Sequence, residues 1–424
     1  MSFWPIDPLA AIWLVVGVQL LPLPAGILAW IIPGTDWFLM RYDIPYAAGR
    51  LSAAVNDPAG IPFDQRHPLS IDPDRTRLAV VFFAGFALLL IGLLHGMTTR
   101  LAGQLARNVA VLGVVVAIAG LVQNAVTPGA LYGFWKTPAF ANPFGPFVNR
   151  NHFAGWMAMA LPLAVGYVRA LAAESDRPRA GDLRSRLIWL SSKDASLVII
   201  ASVATVVLML SLLMTLSRSG IGCLAVVFLI CAVFRAGRRR PGTRVSVQAV
   251  CLTLAALACV AWAGVDRLES RFASLENSGL SGRLGAWTDG VDVAGRFPLT
   301  GTGLNTYGTA MLLYQTHDLQ HHYGAAHNDY VQLAAEGGLL LAIPAIALGG
   351  VLVRDIRRGL RQVSDREAGY WVRFGATTGL GAIAIQELFD FSLQIPANAM
   401  LFTVLLAIAA HQRVGATCRP RSAS

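Results

Sequence analysis

The chain has 424 residues, of which 55% are hydrophobic and only 14% are charged, and its formal net charge is +10. Soluble domains usually carry about 25% charged residues. The apolar segments here recur at lengths near the roughly 20 residues that cross a bilayer as a helix. The composition excludes an ordinary soluble domain and predicts an all-α, polytopic integral membrane helical bundle, because lipid-embedded backbone must be satisfied within helices and β-barrel alternation is absent.

About ten transmembrane helices are predicted along the chain. The first is the weakest, because Pro22 and Pro24 can end its helix early. The predicted spans lie near residues 9–32, 78–96, 108–126, 152–172, 196–214, 220–236, 246–264, 331–353, 370–390 and 396–412.

Arginine counting sets the predicted orientation. Arginines cluster in alternate connectors, at 173–195, 235–244 and 354–369, and basic residues mark loops that stay in the cytoplasm. This clustering also explains the positive charge better than nucleic-acid binding does. Both termini are therefore predicted to be cytoplasmic, and in a bacterium the opposite face of the inner membrane is the periplasmic one. The predicted division is an N-terminal transmembrane bundle (1–264), a large, partly helical periplasmic loop (265–330) and C-terminal helices with a cytoplasmic tail (331–424).

Several polar groups fall on the predicted periplasmic face. Arg218 lies in a tight hairpin between two apolar runs. Ionisable residues at membrane depth are functional candidates, although an arginine can also extend to lipid phosphates. Gly301 and Gly303 either let backbone amides approach a phosphate or simply form turns. Arg283 is the preferred anion contact among several loop arginines, because it lies nearest an aromatic-rich amphipathic stretch.

His327 directly precedes a long span, with Asn328 and Asp329 placed to cap that helix. A histidine on a rigid element suits proton transfer, and the alternative is a surface histidine beside a cap. The histidine spacing in the loop does not match a zinc protease, and no Cys-x-x-Cys occurs, so no metal site is predicted. Glu336 falls inside the apolar run and is expected to face protein rather than lipid.

Two carboxylates, Glu387 and Asp390, lie near the outer end of a predicted span and need partners. Arg218 and Arg283 are the candidates, and a purely structural ion pair is the alternative.

These residues resemble the O-antigen ligase and O-antigen polymerase family of bacterial membrane glycosyltransferases. The resemblance extends over about residues 20–410. The segments that carry it are 147–155, 216–220, 298–304, 327–338 and 390–397.

The resemblance implies transfer of a glycan from a polyprenyl diphosphate carrier, such as undecaprenyl diphosphate, to an acceptor hydroxyl at the periplasmic face. The acceptor is a growing polysaccharide, lipid A core or protein. No metal or other cofactor is expected. The essential family arginine and histidine match Arg218 and His327, which are the predicted catalytic residues, and a loop arginine matches Arg283. Substrate binding is predicted for Arg283, Gly301, Gly303, Asn328 and Asp390.

The expected mechanism follows from charge. Departing diphosphate gathers negative charge, which the forked guanidinium groups of Arg218 and Arg283 neutralise, while His327 takes the acceptor proton. Direct displacement predicts inversion at the anomeric carbon. The motifs do not separate polymerase from ligase activity, for lipopolysaccharide or exopolysaccharide, and polymerase or exopolysaccharide assembly is slightly favoured. The alternative class is a lipid-linked glycan transporter or flippase, whose charges should lie near the bilayer midplane.

Overall fold

A computed structural model describes residues 6–54, 66–137, 141–175, 183–237 and 280–411. The span predicted at 246–264 lies outside these residues, as do most of the arginines of the 235–244 connector. The chain divides into two compact units. Unit 1 comprises Met1–Ala87, Val260–Val351 and Glu387–Leu393, and unit 2 comprises Leu88–Cys259, Leu352–Gln386 and Gln394–Ser424.

The described residues are overwhelmingly helical. The helices are α1 (Ile6–Gln19), α2 (Ala25–Ile31), α3 (Pro33–Tyr42), α4 (Ile44–Ala54), α5 (Pro73–Gly96), α6 (Thr99–Val126), α7 (Arg150–Glu174), α8 (Leu183–Leu190), α9 (Lys193–Met214), α10 (Arg218–Gly237), α11 (Leu280–Arg296), α12 (Tyr307–Tyr314), α13 (Asp329–Gln362), α14 (Ala368–Gln386) and α15 (Pro396–Ala410). The strands are β1 (Pro22–Pro24), β2 (Arg66–Pro68), β3 (Ala130–Leu131) and β4 (Trp135–Lys136), and a 3₁₀ turn spans Ser392–Gln394.

Within the described ranges, five helices are long and apolar enough to cross a membrane: α5, α6, α7, α9 and α13. Shorter apolar helices occupy Asp7–Gln19, Arg218–Ala232 and Pro396–Ala410. The chain is therefore a multi-pass helical membrane protein, as predicted. The predicted number of about ten spans is not confirmed.

The first predicted span, 9–32, is not one helix. Helix α1 ends at Gln19, and Pro22–Pro24 forms strand β1 instead. Proline lacks an amide hydrogen and disfavours helical geometry in the residue before it, so two prolines in three positions stop the helix. Strand β1 pairs antiparallel with β2, and Leu23 lies opposite His67.

The helix starts follow local sequence rules. Thr98 accepts a hydrogen bond from the amide of Leu101 at 3.1 Å at the start of α6. Ser192 accepts from Ala195 at 3.2 Å at the start of α9. Side-chain oxygens at these positions replace the partners that the first helical amides lack.

In unit 2, α7 and α14 approach closely through small residues. A side chain at Gly166 would lie 2.5 Å from the carbonyl oxygen of Trp371, and one at Gly375 would lie 2.5 Å from that of Pro162. Small residues let helix backbones pack directly in membranes, where dispersion contacts replace the hydrophobic effect between helices. This contact makes α7 the most buried of the candidate spans.

In unit 1, helix α13 is interrupted at Gly338, whose φ of 57° and ψ of −163° are not helical. This backbone conformation is essentially confined to glycine. A break leaves amides and carbonyls on both sides without helical partners, which is costly where water is excluded.

Residues 298–303, which we call the bridging segment, supply the missing partners on both sides of the break. The four bonds run from Thr302 N to Ala335 O (3.0 Å), Gly303 N to Glu336 O (3.0 Å), Leu339 N to Pro298 O (2.9 Å) and Leu340 N to Leu299 O (3.0 Å). The break is therefore completed by another part of the chain rather than by solvent.

The side chain of Gln19, at the end of α1, closes the same region. Its Nε2 donates to the carbonyl oxygens of Thr300 at 2.7 Å and Glu336 at 2.9 Å. Its Oε1 accepts from the amide of Leu304 at 3.2 Å. Gln19 is 1% exposed, so all three bonds are made away from solvent, where an unpaired polar group is costly.

Replacing Gly338 by alanine is expected to destabilise the fold strongly. A methyl group there would lie 2.5 Å from the carbonyl oxygen of Leu299 and 2.6 Å from the amide nitrogen of Gly301. Strain and overpacking together should cost about 3 kcal/mol, and thermal unfolding in detergent should occur at least about 5 °C lower.

Gly349 is the matched control in the same helix, because a methyl group there meets nothing within 4 Å. Gly349→Ala should leave the melting temperature unchanged or raise it slightly, since alanine is the better helix former by about 1 kcal/mol. Equal melting temperatures for the two variants would contradict the assigned role of the break.

Candidate functional site

His327 lies immediately before α13, in unit 1, against the segment that follows α14. Its Nδ1 is 3.8 Å from Oδ1 of Asp390, and the side-chain exposures are 26% and 0%. Its ring meets that of Phe391 edge-on, with centroids 4.9 Å apart. The histidine and the aspartate, predicted separately as site residues, are therefore brought together.

The N-terminus of α13, which begins two residues later, holds His327 in place. The φ of His327 is 52°, in the left-handed region. The side chain of Asn328 accepts hydrogen bonds from the amides of Tyr330 and Val331, both at 3.1 Å. This is the predicted helix cap, so Asn328 has a structural role at the start of α13. A contribution of Asn328 to substrate binding stays a prediction.

The segment 387–391 is held against the start of α13 by a backbone hydrogen bond. The amide of Asp329 donates to the carbonyl oxygen of Glu387 at 3.0 Å. Within the segment, Oδ1 of Asp390 accepts from the amide of Phe391 at 2.9 Å. Because the side chain of Asp390 is anchored in this way, the imidazole meets a fixed and buried carboxyl group.

His327 Nδ1 is itself buried and has no hydrogen-bond partner among the residues that the structure describes. A separation of 3.8 Å from the carboxylate exceeds hydrogen-bond distance but lies within ion-pair range. Catalytic hydrogen bonds are often long without substrate and shorten when it binds.

Arg283 reaches the same segment from α11. Its Nη1 donates to the carbonyl oxygen of Phe389 at 3.2 Å. One helical turn later, the Trp287 ring lies 6.3 Å from the Phe389 ring. The guanidinium thus lies beside the residue that precedes Asp390, and its contact is with a backbone carbonyl rather than with the carboxylates considered from the sequence.

The amides of the two candidate glycines are already occupied. Gly301 N donates to Phe297 O and Gly303 N donates to Glu336 O, both at 3.0 Å. Their φ values are 64° and 108°, and a side chain at Gly301 would lie 2.2 Å from the Glu336 carbonyl. The geometry favours turn formation and close packing, and a role for Gly301 and Gly303 in substrate binding stays a prediction.

Glu336 is 5% exposed and faces protein, as expected. Its Oε2 accepts from Asn305 N at 2.7 Å, and its Oε1 accepts from Tyr307 N at 2.9 Å and from Gln332 Nε2 at 3.0 Å. The carboxylate therefore caps α12 from another helix, which is a structural task.

Arg218 belongs to unit 2, where it is the first residue of α10 and is exposed. Leu216, two residues earlier, has a φ of 52°. Ser217 Oγ donates to Asn151 Oδ1 at 3.0 Å, and Gln386 Nε2 donates to Asn151 O at 3.1 Å. Two segments of the family pattern, around Asn151 and Arg218, thus meet in space.

The position of Arg218 is unfavourable for helix stability. A helix N-terminus carries partial positive charge, so a cation there is repelled and an anion is attracted. The charge of Arg218 therefore does not stabilise the start of α10, and its role in the reaction stays a prediction.

No group of three histidine, cysteine, aspartate or glutamate side chains in the described ranges has an arrangement that could hold a metal ion. Metal independence of the reaction nevertheless stays a prediction.

Residues 203–346 match the family model described as O-antigen ligase. The family resemblance drawn from the sequence is therefore confirmed over this part of the chain, which is similar to O-antigen ligases. The matched part includes Arg218, Arg283 and His327. It supports glycosyl transfer of the ligase or polymerase type at a membrane. No match to a curated protein was found.

Some contacts had no signal in the sequence. Gln19 and Glu336 fasten the break in α13, but they are 317 residues apart and show no common pattern. Asp289 and His317, 28 residues apart, form a close pair that the histidine spacing did not reveal.

Glu336→Gln is expected to lower stability. The glutamine side chain has one oxygen that can accept, so its NH₂ group would face the backbone N–H of either Asn305 or Tyr307, and that N–H would lose its acceptor. Leaving such a buried group unsatisfied costs about 1–3 kcal/mol. Thermal unfolding of the purified protein would measure the loss.

Asp74→Asn serves as the control, since Asp74 is 88% exposed and pairs only across the surface with Arg77. Exposed pairs contribute about 0–1 kcal/mol. A Glu336→Gln protein that unfolds at the wild-type temperature would remove the capping role.

Proposed function

We propose that this protein transfers a glycan from a polyprenyl diphosphate carrier to an acceptor hydroxyl, at the periplasmic face of a bacterial inner membrane. The observation that carries the proposal is the approach of His327 to the buried carboxylate of Asp390, with Arg283 bound to the adjacent residue. His327 and Arg283 both lie in the part of the chain that matches the O-antigen ligase model, which supports the proposal.

His327 is the proposed general base. The nearby carboxylate of Asp390 favours a proton on Nδ1, which leaves the lone pair of Nε2 to accept one from the attacking hydroxyl. Phe391 restricts the ring from one side. A base fixed at the end of a helix needs little reorganisation when substrate arrives.

The proposed reaction is a single displacement. The acceptor oxygen forms a bond to the anomeric carbon, and the bond from that carbon to the phosphate oxygen breaks. The electron pair leaves with the diphosphate, and the acceptor proton passes to His327 Nε2. Such a displacement inverts the configuration at the anomeric carbon.

Arg283 and Arg218 are the proposed partners of the diphosphate. A guanidinium group offers a planar set of donors that fits two phosphate oxygens at once. Arg283 is placed by α11 and the Phe389 carbonyl, and Arg218 by the start of α10. Neither role requires a metal ion in the proposed mechanism.

Product analysis tests the proposal directly. Purified protein is incubated with lipid-diphosphate glycan and candidate acceptors, and product masses are read. Masses increased by whole repeat units on a lipid carrier indicate polymerisation, and glycan on lipid A core or protein indicates ligation. Movement of labelled carrier across vesicles, without any new glycosidic bond, would contradict the proposal in favour of a transporter.

Arg218→Lys is expected to reduce the rate of transfer at least about 100-fold. Lysine keeps the charge but lacks the fork that binds two oxygens, and removing one such contact costs roughly 3 kcal/mol in the transition state. Single-turnover rates with lipid-diphosphate glycan measure the effect.

Arg184→Lys, in α8, is the control and should transfer at the wild-type rate, because the arginine lies outside the residues assigned to the reaction. Full activity in Arg218→Lys would contradict the diphosphate role.

His327→Ala is expected to abolish transfer while leaving donor affinity within about threefold of wild type. Loss of a positioned base typically costs about 10²–10⁴ in rate. His322→Ala, an exposed histidine of the preceding loop, should behave as wild type. Normal turnover in His327→Ala would exclude the assignment of His327 as the base.

A further inference from the structure

A second histidine of unit 1, His317, is held by a buried carboxylate far better than His327. Oδ1 of Asp289 lies 2.8 Å from Nδ1 of His317 and 2.6 Å from the hydroxyl of Thr316. Oδ2 accepts the amides of Thr316 at 3.1 Å and His317 at 3.2 Å. Asp289 therefore accepts four hydrogen bonds although its side chain is only 1% exposed.

These bonds determine which nitrogen of His317 carries the proton. Burial would raise the pKa of Asp289, but the hydrogen bonds from Thr316 and His317 outweigh it and lower that pKa below the ordinary value. An ionised carboxylate can only accept, so Nδ1 of His317 must be the donor. In the neutral ring, the lone pair then belongs to Nε2.

The ring of His317 packs against α11 at a glycine. A side chain at Gly285 would lie 2.6 Å from Cβ of His317. The opposite side of the imidazole is open, because the side chain is 49% exposed. Within the described residues, Nε2 has no hydrogen-bond partner, so the oriented acceptor is available to a ligand.

The loop that carries His317 is itself fixed. Nε2 of Gln315 donates to the carbonyl oxygens of His317 at 3.1 Å, Asp318 at 3.0 Å and His321 at 2.6 Å. The hydroxyl of Tyr323 donates to Asp318 at 2.8 Å. A loop with this many internal bonds presents the imidazole in one orientation.

His321 provides an internal comparison. It also lies beside a carboxylate, with Nδ1 3.1 Å from Asp318 Oδ1, but the two side chains are 71% and 29% exposed. An exposed pair of this kind fixes its partners weakly. Of these two loop histidines, His317 is the one that combines a buried carboxylate, a glycine contact and an open Nε2.

We propose that Nε2 of His317 binds a hydroxyl group of the glycan substrate, which makes the α11 surface beside Asp289 a saccharide subsite. This inference rests on the proposed function for the choice of ligand. An imidazole nitrogen that is free to accept fits a hydroxyl donor, and the glycan is the substrate component rich in such donors. Arg283 and Asp289 are six residues apart on α11, or about 9 Å along the axis, which an oligosaccharide can span.

Direct binding tests this subsite without requiring transfer. The probe is the oligosaccharide released by mild acid from lipid-linked glycans of the cells that make the protein, titrated into the purified full chain. His317→Phe, which keeps the ring but removes its nitrogens, should weaken binding about tenfold. His321→Phe, on the same loop, should bind as wild type does.

His317→Gln is a second variant that we expect to fold, because its side-chain amide can still donate to Asp289. It lacks the ring nitrogen that accepts. Weaker binding in His317→Gln, at the wild-type melting temperature, supports the subsite even when His317→Phe fails to fold. Wild-type affinity in either folded variant, or no oligosaccharide binding by the wild type, overturns the inference.

The outcomes also separate this inference from the proposed function. A wild-type protein that binds oligosaccharide through His317 but forms no glycosidic product contradicts the transferase proposal alone. Product formation with unchanged affinity in both His317 variants contradicts the saccharide subsite alone.

Discussion

Unit 1 depends on one constraint: at Gly338, hydrogen bonds to the bridging segment replace the backbone bonds that a continuous helix would make. A helix long enough to cross a membrane is broken, and the bridging segment satisfies the amides and carbonyls that the break exposes. The side chains of Gln19 and Glu336, beside the break, each make three further hydrogen bonds. The same arrangement fixes the start of α13, because Glu336 comes only nine positions after His327. The position of the proposed base therefore depends on the hydrogen bonds that complete the break in α13.

In this arrangement the glycines of the family pattern have a structural role. Gly301 and Gly303 let the bridging segment touch the backbone of α13, and Gly338 adopts a conformation that other residues avoid. The sequence left open whether these glycines bind phosphate, and in the structure the amides of Gly301 and Gly303 donate to carbonyl groups inside the protein. The charged groups assigned to substrate, Arg283 and Arg218, come from helix ends instead.

The sequence predicted the class and several local features well. Apolar length indicated a helical membrane protein, Pro22 and Pro24 indicated the early end of α1, and Asn328 was recognised as a cap, because each depends on neighbouring residues alone. The approach of Asp390 to His327 and of Asp289 to His317 could not be derived, since those distances depend on how distant segments pack. Glu336 was expected to face protein, but its use as a cap for α12 required the fold. The single helix predicted at 9–32 does not form, because the two prolines end it although the whole segment is apolar.

The order of the chain has a consequence for biogenesis. Every group that completes the break at Gly338 is encoded upstream of it: Gln19 comes first, and the bridging segment precedes α13 by about thirty residues. Membrane proteins are inserted from the N-terminus as they are synthesised. When Gly338 is synthesised, the segments that bond to the break have already been made. The unpaired backbone groups of α13 can therefore be satisfied without a segment that is synthesised later.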